Sequence, residues 1–111
     1  MIYPIKIISE ANQREHWAAK AKRVKAHRKA GWAIIRSLKV MLPVTVLLTR
    51  IGVRKLDDDN LAGAFKGLRD GIADGFGVAD NDDRIIFVYD QRKGKPKEYA
   101  VDISFEQHPN G

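Results

Sequence analysis

The residues best suited to chemistry are two groups of aspartates: Asp57, Asp58 and Asp59, and then Asp80, Asp82 and Asp83. The first group lies in a segment that leads into a predicted helix. In extended backbone, residues two apart point to the same side, so Asp57 and Asp59 can share one cation. Mg²⁺ usually binds one or two carboxylates together with waters and a substrate phosphate. The first group therefore predicts a Mg²⁺ site, with ordinary helix capping as the alternative.

The second group, Asp80 to Asp83, precedes a predicted strand, and a solvated turn is its alternative interpretation. Lys66 and Asp70 follow Asp59 by seven and eleven residues. On a continuous helix these spacings place all three side chains on one face. This pattern predicts a lysine beside the acidic site, and a solvated Lys66–Asp70 pair is the alternative.

The charge of the chain is unevenly divided. The net charge is +6, yet Asp57 to Asp83 contains eight acids and only two bases. Arg14 to Lys39 contains nine bases and one acid. A basic surface attracts polyanions, and a dense acidic cluster opposes that attraction unless a cation neutralises it. The division favours a metal-dependent enzyme that acts on nucleic acid, and the lack of cysteine excludes disulfides and thiol catalysis.

Two basic stretches are predicted to hold backbone phosphates of nucleic acid, with plain surface solvation as the alternative. The first comprises Lys20, Lys22, Arg23, Lys25, Arg28 and Lys29, and the second comprises Arg92, Lys93, Lys95 and Lys97.

Periodicity predicts the elements that position these residues. Strands are predicted at 3–8, 44–51, 85–89 and 99–106, and helices at 10–38 and from about Asp58. The predicted core stripe of the first helix is Trp17, Ala21, Val24, Gly31, Ile35 and Leu38, and that of the second is Leu61, Phe65, Leu68 and Ile72. The order β-α-β-α-β-β predicts one α/β domain with two layers (an α+β arrangement) over residues 1–111.

Glycines recur every fourth residue at Gly63, Gly67, Gly71 and Gly75. Such a row lets another backbone approach closely, and the sequence leaves open whether that is the first helix, a second subunit or DNA. Gly31 indicates a kink or a break in the first helix.

At these residues the chain resembles the RusA family of Holliday junction resolvases. The family pattern has a basic residue before Asp-x-Asp-Asn-Leu, then a helix, then an acidic loop that opens a strand. Here Lys55 precedes Asp57-Asp58-Asp59-Asn60-Leu61, and Asp82-Asp83-Arg84-Ile85 forms the later part. The match is close over residues 55–85 and only topological elsewhere.

The resemblance implies a Mg²⁺-dependent endodeoxyribonuclease, with Mn²⁺ as a substitute metal, that acts as a homodimer on four-way DNA junctions. It implies Asp57, Asp59 and Asp82 as metal-binding and catalytic carboxylates, with Asp80 as the alternative third ligand. The family's catalytic lysine falls where this chain has Gly63, so Lys66 is the candidate for that role.

A basic DNA-binding regulator without catalysis is the main alternative, and a nuclease for other branched or flap substrates is the second. The sequence lacks an apolar run long enough for a membrane span and a recognisable signal peptide. It therefore predicts a cytoplasmic protein with no membrane partner.

Overall fold

The computed structural model describes residues 1–8 and 17–108. Within these ranges there are four strands and three helices, in the order β1, α1, β2, α2, α3, β3 and β4. Their bounds are Ile2–Tyr3 for β1, Trp17–Ser37 for α1, Val44–Gly52 for β2, Asp58–Ala64 for α2, Lys66–Phe76 for α3, Ile85–Lys93 for β3 and Ala100–Gln107 for β4. The predicted α+β class is confirmed, with the second predicted helix divided into α2 and α3.

The four strands form one mixed sheet with the spatial order β1-β4-β2-β3. β2 and β3 are parallel, paired from Val44 with Ile85 to Gly52 with Lys93. β4 is antiparallel to both β2 and β1. Because β2 and β3 run in the same direction, their C-terminal ends meet at one edge of the sheet. We call this edge, where β2 ends at Gly52 and β3 ends at Lys93, the carboxyl edge.

The core lies between the helices and one face of the sheet. Val44, Val46 and Leu48 of β2 are fully buried, as are Leu68 and Ile72 of α3. The ring of Phe65 stacks on that of Tyr89 in β3, with centroids 5.7 Å apart. The predicted core stripe of the second helix, Leu61, Phe65, Leu68 and Ile72, is confirmed because all four side chains are buried.

The second predicted helix is interrupted at Phe65, between α2 and α3. The Phe65 N–H donates to the carbonyl of Ala62 at 3.2 Å. That bond spans three residues and tightens the turn, as a 3₁₀ bond does. The prediction of one continuous helix was wrong here, so the phase relation between Asp59 and Lys66 that it assumed does not hold across Phe65.

The glycines of α3 pack against α1, which answers the question that the sequence left open. A Cβ at Gly71 would collide with the carbonyl oxygen of Arg28, and one at Gly75 would lie 2.5 Å from Cβ of Ile35. From the other side, a Cβ at Gly31 would lie 2.6 Å from the Leu68 carbonyl oxygen. Gly31 thus marks a close helix crossing, and α1 is continuous through it. Gly63 does not contribute to this helix contact, since a Cβ there would meet nothing within 4 Å.

The N-terminal predictions hold only in part. β1 ends at Tyr3 rather than Ile8, because Pro4 has no N–H to donate to a strand ladder. Residues 10–16 of the predicted first helix lie outside the described residues. Trp17, predicted on the core stripe, is 75% exposed.

The face of the sheet away from the helices is covered by no described element. It exposes Ile2, Ile86 and Val88, of which Ile86 is 53% accessible. No described helix is long and apolar enough to cross a lipid bilayer.

Candidate functional site

Three adjacent carboxylates, Asp57, Asp58 and Asp59, form what we call the acidic trio. The Asp57 carbonyl accepts the Leu61 N–H at 2.8 Å and Asp57 occupies the N-cap position of α2, but its side chain makes no capping hydrogen bond. All three residues are exposed. Within the described part of the chain, no side-chain hydrogen bond or ion pair engages any of them. Capping by a side chain therefore does not account for this cluster.

Next to the acidic trio lies a cleft of about 290 Å³ at the carboxyl edge. Its walls are the ends of β2 and β3 and the segment that follows β2. We call it the cationic cleft, and its lining residues are Arg50, Gly52, Val53, Arg54, Lys55, Gln91, Arg92 and Lys93. Lys55 also lines a surface recess with Asp57 and Asp58. The acidic trio and the cationic cleft are therefore neighbours.

The second acidic group is held by arginines of the same chain. Arg69 Nη2 donates to Asp80 at 3.1 Å, and Arg84 donates to Asp82 through Nε at 3.0 Å and Nη2 at 2.9 Å. The side-chain hydrogen bonds from Arg84, reinforced by its backbone N–H, lower the pKa of Asp82 to about 2. Asp80 and Asp82 thus already have counter-cations.

The two acidic groups lie at opposite ends of β3. Leu56 exchanges hydrogen bonds with the Gln91 side chain at 2.9 and 2.7 Å, whereas the Asp82 carbonyl accepts the Ile85 N–H at 3.1 Å. Ile85 and Gln91 are six strand residues apart, or about 20 Å. Across residues 1–8 and 17–108, no group of three His, Cys, Asp or Glu side chains is placed to hold a metal. The three predicted ligands Asp57, Asp59 and Asp82 are not brought together within one chain.

Lys66 lies on α3 beside Asp70, with its ammonium 3.1 Å from Asp70 Oδ2. Both residues line a polar cleft with Arg28, Asp74 and Asp80. Asp70 Oδ1 is buried without a hydrogen-bond partner among the described residues, as is Arg69 Nε, which lies 3.9 Å from it. The Lys66–Asp70 pair, which the sequence offered as the alternative to a lysine beside Asp59, is present, and it lies close to Asp80 of the second acidic group.

The predicted phosphate-binding residues fall into two regions. Lys20, Lys22, Lys25, Arg28 and Lys29 are exposed along α1, and Arg23 is half-buried. Arg28 donates to Asp74 at 2.5 and 3.0 Å, and this bond lowers the pKa of Asp74. Of the second stretch, Arg92 and Lys93 line the cationic cleft, whereas Lys95 and Lys97 are exposed in the following turn.

Sequence reasoning missed Arg50 and Arg54. Arg50 falls within the run VTVLLTRI, which predicts a strand. A charged side chain in such an apolar run was the signal that could have identified it. In the structure Arg50 is 5% exposed and lines the cationic cleft.

Comparison of this chain with protein-family models, with curated proteins and with solved structures found no match.

Proposed function

We propose that this protein is a Mg²⁺-dependent endodeoxyribonuclease that cleaves branched DNA, with the four-way junction as its substrate. One observation carries the proposal: exposed carboxylates that pair with no cation of the described residues stand beside a cleft lined by Arg50, Arg54, Lys55, Arg92 and Lys93. A phosphodiester substrate needs cations for its phosphates. A divalent metal needs oxygen ligands. This arrangement supplies both at one edge of the sheet.

The donor chemistry of the acidic trio fits a magnesium ion. Asp57 and Asp59 offer hard oxygen ligands with no competing ion pair among the described residues, and Mg²⁺ takes its remaining ligands from water and a substrate phosphate. When bound, the metal supplies charge neutralisation at the phosphate and lowers the pKa of a coordinated water. The proposal does not require Asp80 or Asp82 of the same chain, and their role as a third ligand stays a prediction.

The neighbouring cations position the DNA backbone. Lys55 lies two residues from Asp57, so it can contact a phosphate held at the acidic trio. The exposed lysines of α1 add long-range attraction to DNA, and such contacts position a duplex without reading its sequence. The resemblance to the RusA family makes Lys66 the candidate to stabilise charge in the transition state, because this chain has Gly63 where the family has its lysine. Lys66 pairs with Asp70 beside Asp80 and not with the acidic trio, so this role stays a prediction.

The resemblance to the RusA family supports the same substrate. It rests on the motif at residues 55–61 and on the later residues 82–85, and the element order is compatible with it. The substrate also suggests the assembly. A four-way junction has two-fold symmetry and needs paired cuts, so we propose a homodimer.

The uncovered face of the sheet fits a contact with a second copy. Its exposed side chains include Ile86 and Val88, which a monomer would leave in water. Light scattering is expected to give about twice the chain mass of 12.5 kDa. Val88→Glu is expected to shift the protein toward monomer. A wild-type monomer with and without junction DNA would contradict the dimer.

The direct experiment is a cleavage assay on a synthetic four-way junction beside a linear duplex of the same sequence. We expect cleavage of the junction in Mg²⁺ or Mn²⁺ and none in EDTA. Binding of both DNAs without cleavage under any of these conditions would favour the non-catalytic regulator instead. The ion pairs that occupy Asp80 and Asp82 are the observation that favours this second candidate.

A further inference from the structure

The cationic cleft contains a buried arginine, Arg50, that has no carboxylate partner among residues 1–8 and 17–108. Arg50 Nε donates to the Ile7 carbonyl at 2.8 Å, and Nη1 donates to the Arg54 carbonyl at 2.6 Å. Burial lowers the pKa of the Arg50 guanidinium. Its Nη2 makes no hydrogen bond with any described residue. The two backbone carbonyls hold the guanidinium in place, and they leave part of its charge directed at the cleft.

The other cations of the cleft are nearly as poorly compensated. Within the described ranges, no carboxylate lies within ion-pair distance of Arg50, Arg54, Lys55 or Lys93. Among the same residues Arg92 pairs with Asp102 alone, at 3.5 Å. Five like charges around one cleft repel each other, and their repulsion is strongest where burial reduces the dielectric screening. An anion in the cleft would relieve this repulsion.

The shape of the cleft depends on Gly52. A Cβ at Gly52 would lie 2.8 Å from the central carbon and both terminal nitrogens of the Arg50 guanidinium. Any larger residue would therefore push the guanidinium from its position against Ile7 and Arg54. The absence of a side chain at residue 52 allows the arginine to line the cleft.

We infer that the cationic cleft is a binding site for a backbone phosphate of a DNA strand, with Arg50 as its buried anchor and Arg54, Lys55 and Lys93 as its outer contacts. Arginine is suited to this role because its planar fork of N–H groups matches the oxygens of a phosphate. This inference rests on the proposed function, since it assigns to the same DNA strand a second point of attachment beside the acidic trio. Lys55 and Asp57 are separated by at most about 7 Å of chain, so one strand can reach both sites.

The test measures binding of a fluorescein-labelled four-way junction in EDTA, where cleavage is blocked. Arg54→Gln combined with Lys93→Gln removes two cations of the cleft. Arg36→Gln combined with Lys39→Gln is the matched control, because it removes one arginine and one lysine that are exposed near the end of α1. We expect the cleft variant to bind at least about tenfold more weakly, since each of the broken bonds involves a charged group. Its salt slope should fall by about 0.9 for each phosphate that the variant no longer neutralises.

A second pair of variants keeps the net charge constant. Gly52→Ala displaces the Arg50 guanidinium, whereas Gly63→Ala adds a methyl group into open space. We expect Gly52→Ala to weaken junction binding severalfold and Gly63→Ala to leave it unchanged, with circular dichroism to check that both variants fold. Should Gly52→Ala fail to fold, the charge-removal pair decides alone.

Equal losses of affinity in the cleft and control double variants would overturn the inference, because the effect would then follow net charge alone. Unchanged binding in the cleft variant would overturn it as well. These outcomes are separate from the proposed function. If the wild type cleaves the junction and the cleft variant binds normally, the proposed nuclease function stands and the phosphate site in the cleft is rejected. If the wild type never cleaves and the cleft variant binds weakly, the phosphate site in the cleft stands and the proposed nuclease function is rejected.

Discussion

The acidic trio and the segment from Asp80 to Asp83 have similar compositions but different surroundings. Asp80 and Asp82 are held by Arg69 and Arg84, with oxygen–nitrogen distances of 3.1 and 2.9 Å. No described residue supplies such a partner to the trio. A carboxylate paired with an arginine has part of its charge already neutralised and fewer lone pairs left for a metal, whereas a carboxylate in water loses only hydration. The local density of aspartates therefore does not identify a metal site, and the presence of an internal partner separates the two cases.

The largest expected effect tests the trio. Asp57→Asn or Asp59→Asn should lower the single-turnover cleavage rate of a four-way junction by at least about 10³-fold, because metal stabilisation of the transition state is worth several kcal/mol. Junction binding should persist or become tighter, since negative charge near the phosphates is removed. Thermal unfolding should stay close to that of the wild type, because neither side chain has a described partner to lose.

Asp82→Asn is the matched change in the paired segment. It removes one charge of the same kind and breaks the contacts with Arg84, so the comparison predicts a smaller loss of rate than for Asp59→Asn. An equally complete loss of cleavage would show that the pairing with Arg84 does not exclude Asp82 from the metal site. It would instead support the three-carboxylate site that the resemblance to the RusA family implies.

Lys66 links the two acidic segments, because it pairs with Asp70 beside the second segment and is the candidate catalytic lysine for the first. Lys66→Ala should lower the cleavage rate by on the order of 10²-fold, the scale of removing one transition-state donor. Junction affinity and its salt slope should change by no more than the effect of a single phosphate. Lys22→Ala, which removes an exposed lysine of α1, is the control for the loss of one positive charge. Weaker binding with an unchanged single-turnover rate would make Lys66 a phosphate-binding residue.

The smallest expected effect concerns the pairing of Asp82 and is measured by NMR titration of its carboxyl group. The folded-state pKa of Asp82, about 2, lies below the usual value. Its contribution to stability is therefore fully present above the unfolded pKa of about 3.9, and is lost as the pH falls through the folded-state pKa. Arg84→Gln should raise the pKa of Asp82 toward about 3.9. An unchanged pKa in that variant would show that Arg84 is not the partner.

The sequence predicted what depends on local periodicity. The spacing of Leu61, Phe65, Leu68 and Ile72 identified the buried face of the second helix, and all four residues are buried. The predicted strand at 99–106 likewise agrees with β4, which runs from Ala100 to Gln107. The sequence did not predict the break at Phe65. The break lies at the turn between α2 and α3, and no proline stands there to indicate it.

The separation of the acidic groups depends on strand direction, which periodicity does not contain. The element order is equally compatible with sheets in which β2 and β3 run in opposite directions. Only the parallel pairing from Val44 with Ile85 to Gly52 with Lys93 places the trio and Asp82 at opposite edges. The same pairing brings Arg54 and Arg92 together at the carboxyl edge, a neighbourhood that their positions in the sequence do not suggest.

The position of β4 in the sheet affects how the protein can be made in a cell. β4, at residues 100–107, lies between β1 and β2, so the strand that joins both sides of the sheet leaves the ribosome after the other three. Until β4 is synthesised, β1 has no strand to pair with. The parallel pair of β2 and β3 has one edge of β2 unpaired during the same time. Contacts between residues far apart in the chain slow folding, and unpaired strand edges favour association with other chains. A nascent chain stalled before residue 100 would therefore present an open sheet edge, the kind of surface that chaperones shield during synthesis.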